Sequence, residues 1–194
     1  MRKNFGAKAL LYPQPVFIIG SYDENGVPNA MNAAWGGISE SDEVSLCLSA
    51  GHKTVKNILA RKAFTVSMAT ADTVVPCDFV GLVSGNQVAD KLEKAGFHTE
   101  KSEFVDAPII RELPMAVECE LISYDPETCR MVGRIVNVCA EESVLTDGKI
   151  DPMKLRPITY DSMNHAYHVL GEKVGNAFSD GAALKRGSIC IKKF

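Results

Sequence analysis

The chain has 194 residues, of which 46% are hydrophobic and 23% charged, with a formal net charge of -3. That length and apolar share suit one packed domain spanning residues 1–194 and exclude a disordered chain. The slightly acidic balance, without any long basic block, argues against a nucleic-acid partner.

The start of the chain, Met1-Arg2-Lys3-Asn4-Phe5-Gly6, is charged and lacks a following apolar segment, so no secretory signal is expected. Val16-Phe17-Ile18-Ile19 is too short to cross a bilayer, so no membrane partner and a cytoplasmic location are expected. Residues 15–22 are β-branched and aromatic, and Asp23-Glu24-Asn25-Gly26 turns the chain into a return strand over 28–34. Asn-Gly between two such runs predicts a hairpin. Residues 44–49 alternate and predict a third strand. Thr54 is a candidate cap for a helix with Val55, Ile58 and Leu59 on one face, and 63–68 predicts another strand.

A mixed, partly helical stretch runs to Val83, and a second short helix is expected over 87–95, stopped by Gly96. Residues 115–124 and 129–140 predict long strands around the Asp125-Pro126-Glu127-Thr128 turn. Asp147-Gly148-Lys149 predicts a further turn, and 187–192 a last strand. Many strands with few helices and no β-α-β alternation favour an antiparallel barrel with helices packed outside.

Six cysteines stand at positions 47, 77, 119, 129, 139 and 190 without a Cys-x-x-Cys pair, which reads as small buried apolar residues rather than a zinc site. His165 and His168 have an i, i+3 spacing, but the sequence places no third ligand beside them, so no metal is expected. Phosphate-loop, dinucleotide-binding and nucleophile-elbow motifs are lacking.

Three segments carry candidate chemistry. Ser49, Ala50, His52, Lys53 and Thr54 lead into a helix, whose first N–H groups and positive dipole end suit a phosphate. The same loop also suits a capped surface helix with solvated cations. Asn32, Ala33, Ala34 and Trp35 combine small residues with the single tryptophan. They would let a planar ring approach the backbone, or pack beneath a helix around a core tryptophan. Ser84 and Gly85 precede Lys91, whose ammonium either reaches an anionic ring edge or is solvated.

Together these residues resemble the flavin reductase-like, FMN-binding split-barrel family, and within it the flavoredoxin branch. The resemblance begins at Tyr12-Pro13-Gln14-Pro15-Val16 and Asn25-Gly26-Val27-Pro28-Asn29. It continues through Ala34-Trp35, the His52-Lys53-Thr54 loop with Asn57-Ile58, and Ser84-Gly85 with Asp90-Lys91. It ends at residues 147–157 and at Leu170-Gly171-Glu172-Lys173-Val174-Gly175 with Ala177-Phe178-Ser179-Asp180-Gly181.

It implies a mostly β fold, a six-stranded antiparallel split β-barrel of Greek-key topology with short flanking helices, in a homodimer. Non-covalent FMN is the implied cofactor, with Asn32, Ala33, Ala34 and Trp35 along the ring. Ser49, Ala50, His52, Lys53 and Thr54 would lie at the phosphate, with Ser84, Gly85 and Lys91 closing over the cofactor and Tyr167 approaching from the C-terminal side. The implied role is electron transfer, with NAD(P)H or a redox protein as donor. The alternatives are an NAD(P)H-dependent flavin or small-molecule oxidoreductase, and a non-redox flavin- or heme-binding module. Two histidines common in the NAD(P)H-oxidising members are replaced here by Cys129, within Thr128-Cys129-Arg130, and by Cys139. No catalytic residue is assigned.

Overall fold

A computed structural model describes residues 1–186. The strand expected over 187–192, and Cys190 within it, lie outside the described residues.

Seven strands form one antiparallel sheet. In chain order they are β1 (Phe17–Tyr22), β2 (Pro28–Ala33), β3 (Gly36–Glu40), β4 (Glu43–Cys47), β5 (Ala63–Met68), β8 (Met115–Asp125) and β9 (Arg130–Ala140). Six short strands stand outside it in three pairs: β6 (Thr99–Lys101) pairs with β7 (Pro108–Ile110), β10 (Leu145–Thr146) opens a small hairpin, and the remaining three follow it. Helices α1 (Lys53–Arg61), α2 (Val74–Leu82) and α3 (Lys91–Ala95) follow the first strands. Beyond β10 come β11 (Lys149–Ile150), α4 (Pro152–Leu155), β12 (Ile158–Asp161) and β13 (Ala166–Val169).

The sheet order is β2-β1-β5-β8-β9-β4-β3, which curls into a half-barrel. The seventh strand, one more than the resemblance implies, is β3. It lies on the edge against β4, with Gly36 opposite Leu46. A Cβ at Gly36 would lie 2.6 Å from the Ser45 carbonyl oxygen, so only glycine lets the two backbones meet this closely.

The unbroken apolar run of β1 has a simple cause: both of its faces are covered. Phe17 and Ile19 point into the barrel with Leu46, Val55, Ile58 and Phe64. Val16 and Ile18 point the other way, against Cys77, Val80, Phe97 and Ile158. A strand buried on both faces shows no polar alternation. Phe64 fills the barrel interior, and a Cβ added at Gly133 would lie 2.4 Å from its Cζ. Gly133→Ala is therefore expected to destabilise the fold by about 1–3 kcal/mol through overpacking, read as a lower urea midpoint.

Several expectations shift. Thr54 is not the cap of α1. His52 occupies that position, and Thr54 is buried inside the first turn. The helix expected over 87–95 shortens to α3, because the amide N–H groups of Gln87 and Val88 both donate to the Ser84 carbonyl and form a turn first. Gly96 does terminate α3 in the left-handed conformation, at φ 70. Strands β3, β6, β7, β12 and β13 carry no expectation above, since they form only by pairing. Of the cysteines expected to be buried, Cys77 and Cys119 are, whereas Cys47 is exposed and Cys129 and Cys139 are half-buried.

Candidate functional site

Strand β2 is the other edge of the sheet, paired only with β1. An edge strand turns every second N–H and C=O outward with no ladder partner. Along that edge runs a trough between α1 and α2.

The N-terminus of α1 is fixed over β2 by polar contacts the local sequence does not reveal. Asn29 Nδ2 donates to Thr54 Oγ1 at 2.8 Å, and Asn57 Nδ2 donates to Ser21 Oγ at 3.1 Å. Lys53 Nζ lies 3.2 Å from Asp23 Oδ2. Arg61 Nη2 and Nε donate to the Asp23 carbonyl at 2.8 and 2.9 Å. The hydrophobic side of α1, Val55 and Ile58, is fully buried in the barrel. The free amide groups at its start consequently face the trough in one orientation.

The opposite wall is α2 and the turn after it. Asn32 Nδ2 donates to the Cys77 carbonyl at 3.1 Å. A Cβ at Gly81 would stand 2.9 Å from Asn32 Cβ, so a small residue is what seats α2 on β2. Gly85 is tighter still: its Cβ would meet Asn29 Oδ1 at 2.2 Å and Lys53 Cδ at 3.2 Å.

One end of the trough is a cavity of about 200 Å³ that brings together Asn32, His52, Lys53, Thr54, Ser84, Gly85 and Lys91. These residues come from four segments spread over sixty positions. Lys91 is 3% exposed, and among the described residues it forms no ion pair with a carboxylate. Burial pushes its ammonium down to about 8. A buried cation facing Lys53 and a helix N-terminus makes a pocket of one sign, complementary to a dianion.

Beyond Asn32 and Gly81 the trough widens into a cavity of about 490 Å³ that also reaches Ala34, Asp78, Tyr160, His165 and Tyr167. The Tyr167 hydroxyl donates to Asp78 Oδ1 at 2.7 Å; burial first, and then this bond, push the phenol well above its usual range. Tyr160 and Tyr167 form a tilted ring pair, with centroids 5.9 Å apart. His165 lies 3.2 Å from the Tyr160 hydroxyl at a turn, and His168 lies on β13, so the two histidines share no helix. Among the described residues no group of three His, Cys, Asp or Glu side chains converges as a metal site would require.

The other expected residues are placed differently. Trp35 is not in the core: it is 57% exposed. Ala33 turns its methyl into the barrel interior, and Ala34 lines the wide part of the trough. Ser49 and Ala50 are exposed on the loop before α1 and line neither cavity. Cys139 Sγ lies 3.7 Å from the Ala116 carbonyl oxygen and lines a separate cavity. Asn29, Asp23, Gly81 and Asp78 had no local signal. They matter through partners 25 to 89 positions away, as Asn29–Thr54 and Asp78–Tyr167 show.

Residues 9–162 match the sequence model of the flavin reductase like domain. The structure superposes on flavoredoxin of Desulfovibrio vulgaris (Miyazaki F) with a TM-score of 0.89 and 37% identity, covering 93% of this chain and 100% of that one. Flavoredoxin from Methanosarcina acetivorans gives a TM-score of 0.85 at 25% identity, covering 95% of this chain and 99% of the other. An uncharacterized protein of Aquifex aeolicus (strain VF5) is 26% identical over 162 residues, which is 77% of this chain and 81% of its own length. No described helix is long and apolar enough to cross a membrane. The match over most of the chain, together with an antiparallel half-barrel sheet, places this protein in the flavin reductase-like family.

Proposed function

We propose that this protein binds FMN non-covalently in the trough along β2 and carries electrons through it, as a flavoredoxin-like electron-transfer protein. The observation that carries this reading is the buried Lys91, which among the described residues has no carboxylate partner, beside Lys53 and the start of α1. A buried cation requires a counter-charge, and a phosphate dianion is one of the right sign. Gly81 and Gly85 fit the same reading, because a side chain at either would push aside Asn32, or Asn29 and Lys53, which line the trough.

In this reading His52, Lys53, Thr54, Ser84, Gly85 and Lys91 hold the phosphate, with Ser49 and Ala50 on the approach to it. The outward backbone groups of Asn32, Ala33, Ala34 and Trp35 meet the ring edge, and Tyr167 bounds the wide end. The cofactor, when bound, supplies one- and two-electron chemistry. The chain anchors, orients and screens it. The solved flavoredoxins of similar fold favour a carrier, and the electron donor is NAD(P)H or a redox protein. The protein acts in the cytoplasm as a homodimer. The exposed apolar residues Ile122, Val136 and Val138 on the β8–β9 ribbon are candidates for its contact.

The test is the visible spectrum of the purified protein after incubation with FMN and exhaustive dialysis. Retained flavin bands are expected, and a colourless protein overturns the proposal. Lys53→Ala combined with Thr54→Ala is expected to remove the colour. Each lost charged or buried contact contributes roughly 1–3 kcal/mol, so together they weaken binding by about 10²–10⁴-fold. Because Thr54 also accepts from Asn29, the pair with Thr54→Ser separates loss of the cofactor from loss of the helix anchor. Anaerobic mixing with NADPH then assigns the donor. Rapid bleaching favours the oxidoreductase alternative; bleaching only by a reductase protein favours the carrier.

A further inference from the structure

On the other side of Ala34 from the trough lies a further cavity, of about 570 Å³, between the N-terminal segment and the β3–β4 edge. That size falls in the range of roughly 300–1,000 Å³ typical of small-molecule sites. The cavity is built by long-range contacts. The Tyr12 hydroxyl donates to Asp161 Oδ1 at 2.6 Å, holding that carboxyl far below its usual range. The Gln14 amide donates to Thr159 Oγ1 at 2.8 Å, and Gln14 Nε2 donates to the Ala34 carbonyl at 3.3 Å. These bonds tie Tyr12 and Gln14 to β12 and to Ala34, next to the residues of the N-terminal segment that line the cavity.

The lining has a consistent charge. Lys8 and Arg130 are its charged residues, no Asp or Glu lines it, and among the described residues neither cation forms an ion pair. Asp125, which faces Arg130 across the β8–β9 hairpin, is turned into its own loop, accepting from Thr128 Oγ1 at 2.7 Å and from the Glu127 amide at 2.9 Å. The position of Arg130 is set by the β4 ladder, where it stands opposite Cys47, and by the Leu48 amide donating to the Cys129 carbonyl at 2.8 Å. The exposed Trp35 indole supplies an aromatic face. The wide part of the trough has the opposite character: it contains the Asp78 carboxylate and no lysine or arginine.

We propose that this cavity is a second ligand site, for a compact aromatic or conjugated molecule with one negative charge. Arg130 and Lys8 pair with the anion, and Trp35 offers the stacking surface. Ala34 separates the site from the trough, so a ligand here lies one residue from the strand segment assigned to the flavin ring. The site shares Ala34 and Trp35 with the strand segment assigned to the flavin ring, whereas Lys8 and Arg130 belong to it alone. Its role as the place where an electron donor or acceptor docks rests on the proposed function.

The experiment uses the single indole N–H of the chain, that of Trp35, as an NMR reporter. Benzoate and benzamide, equal in shape and different in charge, are titrated into the protein as purified, with FMN content followed separately by visible absorbance. Both are expected to shift the indole resonance, with benzoate binding at least about tenfold more tightly. Arg130→Gln with Lys8→Gln is expected to bring benzoate down to the benzamide level while FMN content stays unchanged. An unmoved resonance, equal affinities in the wild type, or an unaffected double variant overturns the site. Displacement of benzoate by inorganic phosphate, which has no ring, at a concentration that leaves the Arg130→Gln, Lys8→Gln variant unchanged, places the anion in the phosphate cradle and overturns the second site, while the flavin reading stands. A benzoate response in protein that retains no FMN does the reverse.

Discussion

Lys91→Met is expected to do two opposite things: weaken FMN binding by about two orders of magnitude and stabilise the FMN-free protein. The first follows from loss of a charge-assisted bond to a buried cation, worth roughly 3 kcal/mol. The second follows from the burial of Lys91, 3% exposed and without a carboxylate partner, which lowers its ammonium to about 8. Keeping a charge there costs the free protein on the order of 2–3 kcal/mol, and methionine retains the apolar stem without it.

The sign of the pH dependence is fixed. The unfolded chain keeps this proton up to about 10.4, whereas the folded protein releases it near 8. Between those values the unfolded state binds more protons, so the stability of the FMN-free wild type rises with pH across that window. Below it the full cost is present. Thermal melts from pH 7 to 10 check this: a rising contribution in the wild type, absent in Lys91→Met and suppressed by saturating FMN. Equal melting temperatures and equal FMN retention in the two proteins would rule out the role assigned to Lys91.

Gly85→Ala is the second large effect. A methyl there would lie 2.2 Å from Asn29 Oδ1 and 3.2 Å from Lys53 Cδ. Asn29 is not free to yield, because its amide holds Thr54 at 2.8 Å, and Lys53 is held by Asp23. The expected outcome is displacement of Lys53 and the Ser84 turn, with FMN affinity reduced about 10²-fold, equivalent to about 3 kcal/mol. The barrel core lies on the other side of β2 and is untouched, so the melting temperature of the free protein should fall by only a few degrees. Fluorescence recovery of released FMN measures the affinity, and circular dichroism checks the fold.

Much of the site was legible from the sequence because its local parts carry local signals. The Asn25-Gly26 turn sets the β1–β2 hairpin, and Gly26 adopts φ 79 as such turns require. The loop at His52, Lys53 and Thr54 announces a helix start by its own residue types. The role of Thr54 was not legible. A threonine at that spacing suits a cap, yet here its hydroxyl is committed to Asn29, 25 positions earlier. Trp35 offers the same lesson in reverse: tryptophans are most often packed, but the turn between the edge strand and β3 leaves this one 57% exposed.

The sequence by itself determined the hairpins, the strand-rich character, the cationic loop and the family to which the chain belongs. Periodicity, turn chemistry and residue order are short-range properties, and they survive without any partner. Only the tertiary structure decided that Lys91 is a buried cation rather than a solvated one, because that depends on α2, β2 and α1 closing around it. Only pairing created β3 and set Arg130 beside Trp35, since short edge strands exist through hydrogen bonds to residues far along the chain. Charge burial and cavity sign are sums over such distant neighbours, and those sums exist only once the chain has folded.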